Sequence, residues 1–472
     1  MRYTNKLSDT SFSETEKLSP GRGAAVLGTG RILPLIAKFS IPAVIGMLVG
    51  SLYNIVDQIF IGQKVGVLGN AATNVAFPLV TICMAVSLLT GIGTATNFSL
   101  ELGRGNKEKA AHFAGNGILL NIICGTVIAV LSRIFIVPLL HLFGATGNVL
   151  PYAETYTSIT IAGIPFLMFG VAGNNLVRAD GAPAISMIFM LTGGIANIFL
   201  DALFMYGFGW GIAGAAWATV ISQMLSAVLL ALYMTRMRSV KLSRKNFKPE
   251  AAHIRLIAYM GFAAAINQLA MASFQIVMNN VLVHYGENSV YGSDIPLASV
   301  GVITKVNMLL MGIVIGISQG CQPIFGFNYG AKKYHRVKTA YKDAAVIATV
   351  ISVAAWICFM LFPRQITALF GTGNELYFHF AERYFRIFMM LTFLNGIQPL
   401  TSNFFSSIGK AKLGAAMSLT RQVLFLIPLI IILPLFFGID GILYAGPAAD
   451  CAALIFAVTF VSREMHALSI TE

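Results

Sequence analysis

Two carboxylates stand inside long apolar runs of this chain. Asp57 closes the segment Ser51-Leu-Tyr-Asn-Ile-Val-Asp57, and Asp201 follows Asn197 by one helical turn in Asn197-Ile-Phe-Leu-Asp201. A charge at the centre of a membrane helix costs about 2.5–3.5 kcal/mol on insertion scales, so such residues need a reason to be there. Tyr53 and Asn54 precede Asp57 by four and three residues, which puts all three on one side of a helix. Half-buried carboxylates with amide and phenol neighbours can share a proton or hold Na⁺. The plainer alternative is that each Asp marks the outer end of its helix. Pro42 lies about four turns before Asp57. It removes a backbone hydrogen bond and permits either a working bend or a fixed kink. Lys305 is a lone cation in another apolar run, expected to pair with a carboxylate or to reach the outer surface. Asp450 and Arg421 are expected to be helix-packing partners.

The elements that must position these groups are membrane helices. The 472 residues are 57% hydrophobic and 11% charged, whereas soluble chains carry about 25% charged residues. Apolar runs of spanning length predict twelve spans, near 33–60, 71–97, 111–137, 152–176, 184–206, 212–234, 256–284, 295–319, 339–362, 378–400, 414–437 and 441–461. The net charge of +13 is no sign of nucleic-acid binding, because the Lys and Arg lie between apolar segments rather than on one surface. Cys83, Cys124, Cys321, Cys358 and Cys451 fall in separate apolar stretches without metal or disulfide spacing. The polar N-terminal stretch up to Thr29 has no signal-peptide pattern.

Of the 32 Lys and Arg, all but Lys64, Arg133, Lys305, Arg364, Arg383 and Arg386 fall in the N-terminal tail, in alternate loops or at the C-terminal end. The positive-inside rule then predicts both termini on the cytoplasmic side. The longest basic loop divides the chain into a tail (1–30), an N-terminal six-helix lobe (31–235), a basic linker (236–255), a C-terminal six-helix lobe (256–463) and a short tail (464–472). The halves repeat one another. Leu142-Phe-Gly-Ala-Thr-Gly-Asn148 recurs as Leu369-Phe-Gly-Thr-Gly-Asn374, and Ala153-Glu-Thr-Tyr156 as Ala381-Glu-Arg-Tyr384. Asn175 and Gly181 match Asn403 and Gly409, and Gly103 opens a turn like that at Gly330. Six spans per half is even, so the halves share an orientation and a pseudo-two-fold axis runs along the membrane normal.

No GxxxxGK[ST], HExxH, GxSxG or Cys/His cluster occurs, so neither a P-loop nor a hydrolytic site is legible. Met271, Met278, Met308, Met311, Phe385, Phe388, Met389 and Phe393 can line a greasy pocket or simply face lipid and neighbouring helices.

Several segments carry a resemblance. They are Leu52-Tyr-Asn-Ile-Val-Asp-Gln-Ile-Phe-Ile-Gly62, Arg178-Ala-Asp-Gly181, Asn197-Ile-Phe-Leu-Asp-Ala-Leu-Phe204, Gly214-Ala-Ala-Trp-Ala-Thr-Val-Ile-Ser-Gln223, Gln322-Pro-Ile-Phe-Gly-Phe-Asn-Tyr-Gly-Ala331 and Arg421-Gln-Val-Leu-Phe-Leu-Ile-Pro428. Over about residues 31–463 the chain resembles the multidrug and toxic compound extrusion family, in its DinF/MepA-like branch. The resemblance implies an all-α integral membrane protein with twelve transmembrane helices in two pseudo-symmetric six-helix bundles arranged as a V. It implies an antiporter, not an enzyme, that exports lipophilic cations in exchange for H⁺ or Na⁺. The family's cation site matches Asp57, Asn197, Asp201 and Thr219, with Tyr53, Tyr156 and Asn174 as further members and Pro42 as the bending proline. One departure stands out. Other branches carry carboxylates in the seventh and tenth spans, where this chain has Asn267, Gln268 and Gln275 and no interior acid. Coupling is therefore expected in the first half.

The resulting expectation is a monomeric multi-pass protein of a bacterial cytoplasmic membrane. It needs no cofactor, and no metal beyond Na⁺ at Asp57 and Asp201. Its partners are small organic cations and membrane lipid, not nucleic acid. Two alternatives stay open. A lipid-linked precursor flippase of the same superfamily should carry a strongly cationic site for pyrophosphate, and Lys305 stands almost alone. A non-transport membrane enzyme or receptor lacks a catalytic constellation.

Overall fold

A computed structural model of the protein describes residues 22–143, 145, 148–292, 294–369 and 375–470. The basic residues Arg2, Lys6 and Lys17 and parts of the paired turns at 142–148 and 369–374 lie outside the described residues.

Among the described residues there is no strand; apolar helices make the whole fold. After a short helix, Arg22–Thr29, the first half holds α1 (Ile32–Lys64), α2 (Val67–Gly103), α3 (Lys107–Ile134), α4 (Leu150–Ala179), α5 (Pro183–Gly207) and α6 (Gly211–Met234). The second holds α7 (Ala251–Glu287), α8 (Asp294–Gly330), α9 (Tyr334–Leu361), α10 (Glu375–Ile387), α11 (Ile397–Ser407), α12 (Ala411–Phe437) and α13 (Ile439–Ile470). With no water in the bilayer core, helices satisfy every backbone group within one segment. Eleven of them are long and apolar enough to cross a membrane.

The tenth span departs from its expected single helix over 378–400. It is broken into α10 and α11, with a 3₁₀ turn at Thr392–Leu394 between them. Gly396 and Pro399 explain the break. Glycine weakens a helix, and proline at 399 has no N–H to give to the 395 carbonyl and crowds it.

The two halves match at paired turns, although the unbroken α4 corresponds to the broken α10 and α11. Gly181, between α4 and α5, has φ 81°, and its repeat partner Gly409, between α11 and α12, has φ 88°. Both are left-handed turns that glycine alone adopts without strain. The halves form the expected pair of six-helix bundles, and they meet toward the face that carries the basic loops. There α1 packs on α8, and its pseudo-symmetric counterpart α7 packs on α2. Glycines permit the approach. A Cβ on Gly93 of α2 would overlap the Ile257 carbonyl, and one on Gly261 of α7 would overlap that of Leu89. The repeat partners Gly103 and Gly330 face each other across the axis, each against backbone of the opposite lobe.

The first helix belongs to both lobes. Leu35, Ile36 and Phe39 are buried in one core with Ile317, Cys321, Ile324, Phe404 and other residues of the second half. Beyond Pro42, the same helix packs on α5 of the first half. The short helix before it is clamped to the second lobe, where Asn328 and Arg336 donate to the Leu27 carbonyl and Lys333 to that of Gly28.

Candidate functional site

In the first lobe, α1 and α5 lie close together because Gly194 has no side chain. A Cβ there would be 3.2 Å from Val49 Cγ1 and 3.5 Å from Tyr53 Cδ1. This contact sets Asp57 beside Asp201, close enough for the two carboxyls to act on one another. Asp57 is 7% exposed, Asn197 1% and Asp201 0%. Tyr156 comes in from α4, close to both carboxylates and to Tyr53, and its hydroxyl reaches Thr219 on α6. Four helices thus bring together Asp57, Tyr53, Asn197, Asp201, Tyr156 and Thr219.

Directly after Asp201 the backbone widens into a π-helical turn, Ala202–Gly207. Such turns are frequent at functional sites, because they leave the regular hydrogen-bond ladder locally disturbed.

The carboxylates and the Asn197 amide of this cluster lack hydrogen-bond partners. Asp57 Oδ1, both oxygens of Asp201 and both side-chain polar atoms of Asn197 are buried with no hydrogen-bond partner within the protein. Among the described residues no Lys or Arg pairs with either carboxylate. Buried polar groups are nearly always satisfied, and unpaired buried charges are costly. A cluster of hard oxygen ligands without a countercharge suits a proton shared between carboxyls or a monovalent cation such as Na⁺. Among the described residues no group of three or more His, Cys, Asp or Glu is placed to hold a metal ion.

Two residues expected at the site lie elsewhere. Asn54 is exposed, and its Nδ2 donates to the Gly50 carbonyl at 2.7 Å. At about 100° per residue, Asn54 lies about 60° from Asp57 on one flank and Tyr53 about 40° on the other, and Asn54 also reaches Tyr53. Asn174 is about five turns further along α4 than Tyr156. There it accepts from Ser186 Oγ at 2.9 Å, next to Arg178. Pro42 sits inside α1 where the helix passes from one lobe's core to the other's. Lys305 is exposed and, among the described residues, makes no ion pair with a carboxylate.

The corresponding place in the second lobe differs. Tyr384, the repeat partner of Tyr156, lies near Arg421. Arg421 Nε donates to Asp450 Oδ1 at 2.6 Å, and Asn395 from the break in the tenth span also reaches Asp450. Arg421 and Asp450 are thus partners, as expected. Met278, Phe385 and Met389 belong to the core of this lobe, whereas Met271 and Met308 are exposed.

Sequence reasoning missed the polar seal between the lobes. Arg178 stood out only as a loop charge and as part of the Arg178-Ala-Asp-Gly181 segment, with no partner assigned, yet it is 3% exposed and donates to Gln319 of the opposite lobe at 2.8 Å. Gln322 donates to Thr96 Oγ1 at 3.0 Å across the same boundary. The sequence holds no signal for either contact beyond the polar residues themselves.

The family model MatE matches residues 42–203 and 263–432. The chain is 26% identical over 444 residues to the multidrug export protein MepA of Staphylococcus aureus strain MSSA476, spanning 93% of this chain and 96% of that one. To MepA of Staphylococcus haemolyticus strain JCSC1435 it is 27% identical over 435 residues, covering 92% and 94%. Among solved structures, it superposes with a TM-score of 0.88 on an outward-facing multidrug resistance MATE family transporter, at 25% identity over 96% of this chain and 99% of that one. A transporter of the MOP superfamily from Pyrococcus furiosus, described as having a binding pocket of reverse polarity, gives the same score, identity and coverage. With its repeated helical lobes and a family match over most of its length, the chain belongs to the MatE family of multidrug efflux transporters.

Proposed function

We propose that the protein is a secondary antiporter that exports lipophilic organic cations in exchange for H⁺ or Na⁺, with Asp57 and Asp201 as the coupling pair. The observation that carries this is the buried, unpaired set of Asp57, Asp201 and Asn197 oxygens. Thr219, Tyr53 and Tyr156 complete the pocket around them. In this cycle the basic face is cytoplasmic and the lobes at 31–235 and 256–463 are the moving bodies. Protonating or Na⁺-loading the pair from outside removes the negative charge that holds a cationic drug, so the drug leaves. Release of the ion to the cytoplasm restores that charge. One H⁺ exchanged for one monovalent cation moves no net charge, so the pH gradient alone drives it, at about 1.4 kcal/mol per pH unit.

Helix α1 links the ion to the lobes. Its outer half carries Asp57 against α5, and its inner half is built into the second lobe's core. A change of charge at Asp57 alters how α1 packs on α5, and Pro42 lies where the two halves of the helix can bend relative to each other.

The test is ethidium transport in proteoliposomes under an imposed pH or Na⁺ gradient, with Asp57→Asn alongside. Gradient-driven movement in the wild type that is lost in the variant is expected. Movement that survives Asp57→Asn and Asp201→Asn alike overturns the assignment of the coupling pair. Absence of movement under either gradient, in folded protein, overturns the antiport reading.

A further inference from the structure

Arg178 is a buried cation with no carboxylate within ion-pair distance among the described residues. All its acceptors are neutral: Asn175 Oδ1 at 2.7 Å, Gln319 Oε1 at 2.8 Å and Ser186 Oγ at 3.4 Å. Asn175 and Ser186 are in its own lobe. Gln319, 8% exposed, is on α8 of the other. Where α2 meets α7 and α8, the seal has backbone packed against glycine and the neutral bonds from Gln322 to Thr96 and Ile92 and from Asn97 to the Leu256 carbonyl, while at the short N-terminal helix Lys333 and Arg336 hold backbone carbonyls.

We propose that Arg178 is a positioning residue of the transport cycle, whose bond to Gln319 is a deliberately weak latch between the lobes at the basic face. An arginine at this boundary is held by whatever lies opposite it. A carboxylate there would form a desolvated ion pair, which is hard to break one partner at a time. An apolar residue would leave the guanidinium with no partner across the boundary. The amide of Gln319 lies between these cases: it accepts one charge-assisted hydrogen bond and leaves the seal able to part. Asn175 and Ser186 keep the guanidinium satisfied within its own lobe when the latch opens, so the arginine is never stranded. The inference rests on the transport reading in one respect, that contacts at the basic face part during the cycle.

Two substitutions at one position move the latch in opposite directions. Gln319→Glu should tighten it and Gln319→Leu should loosen it. Bio-orthogonal spin labels at Lys109 and Lys412, exposed on the two lobes at this face, report the separation in lipid nanodiscs by pulsed electron resonance, with no substrate or ion gradient. The expected result is a single short distance in Gln319→Glu and a larger share of a longer distance in Gln319→Leu. The ratio of the two populations should differ between the variants by about tenfold or more, the factor that about 1.4 kcal/mol makes. Adding Arg178→Gln to Gln319→Glu should release the lock. Identical distributions in the two Gln319 variants, or shifts in the same direction, overturn the latch. Because the labels read separation and not flux, failure of the latch is distinguishable from failure of the antiport reading.

Discussion

The two lobes share one architecture and treat their buried charges in opposite ways. In the first, Asp57 and Asp201 lie beside each other with Asn197 near them and, among the described residues, no cation paired to them. In the second, Asp450 is held by Arg421. Tyr156 and Tyr384, repeat partners, stand beside these two arrangements. An ion pair satisfied in place has no need of an external ion, whereas two carboxylates without one do. The contrast says where to look for coupling: under the proposed antiport, the electrostatically incomplete lobe would take up the ion and the complete lobe would serve as its scaffold.

The largest expected effects separate function from stability. Asp201→Asn should abolish gradient-driven ethidium transport, by about a hundredfold or more, yet raise thermal stability, because it removes an unpaired buried carboxylate. Vesicle flux and a melting curve in detergent check the two halves of that statement. Arg421→Leu should do the reverse and destabilise the protein by about 3–5 kcal/mol, since it strands Asp450. The double variant Arg421→Leu with Asp450→Leu should recover most of that loss, read by the same melting curve. If Arg421→Leu leaves stability unchanged, the second lobe is not the satisfied scaffold described here.

A smaller effect is expected at the seal. Gly261→Ala sets a methyl group against the Leu89 carbonyl and should disfavour closure of the basic face by about 1–3 kcal/mol, seen as greater reactivity of a cysteine placed near Gly330. The smallest is at Asn54. Asn54→Ala should leave transport within about twofold of wild type, because this residue bonds only its own helix. A large loss there would return Asn54 to the site and redraw the face of α1 that meets Asp57.

The sequence made the spans, the repeat and the two carboxylates legible, because hydropathy and intramembrane charge are local properties. Where it misled, the cause was three-dimensional. The apolar run at 378–400 conceals a break that depends on Gly396 and Pro399 within an otherwise continuous hydropathy signal. Asn174 belongs to a motif-rich helix, but about five turns of rise carry it away from Tyr156. The bond from Arg178 to Gln319 joins residues 141 positions apart, which no periodicity can reveal. That α1 shares cores with both lobes was equally hidden, since each half of it is an ordinary apolar stretch.

The most direct test is ion release on substrate binding. Detergent-solubilised protein in weakly buffered solution would be mixed with ethidium while a pH indicator reports H⁺ and a Na⁺ electrode reports Na⁺. Wild type and the paired-lobe variant Arg421→Leu with Asp450→Leu should both release the coupling ion, and Asp57→Asn and Asp201→Asn should not. Release that persists in the two first-lobe variants and disappears in the second-lobe variant would contradict the assignment of coupling to Asp57 and Asp201.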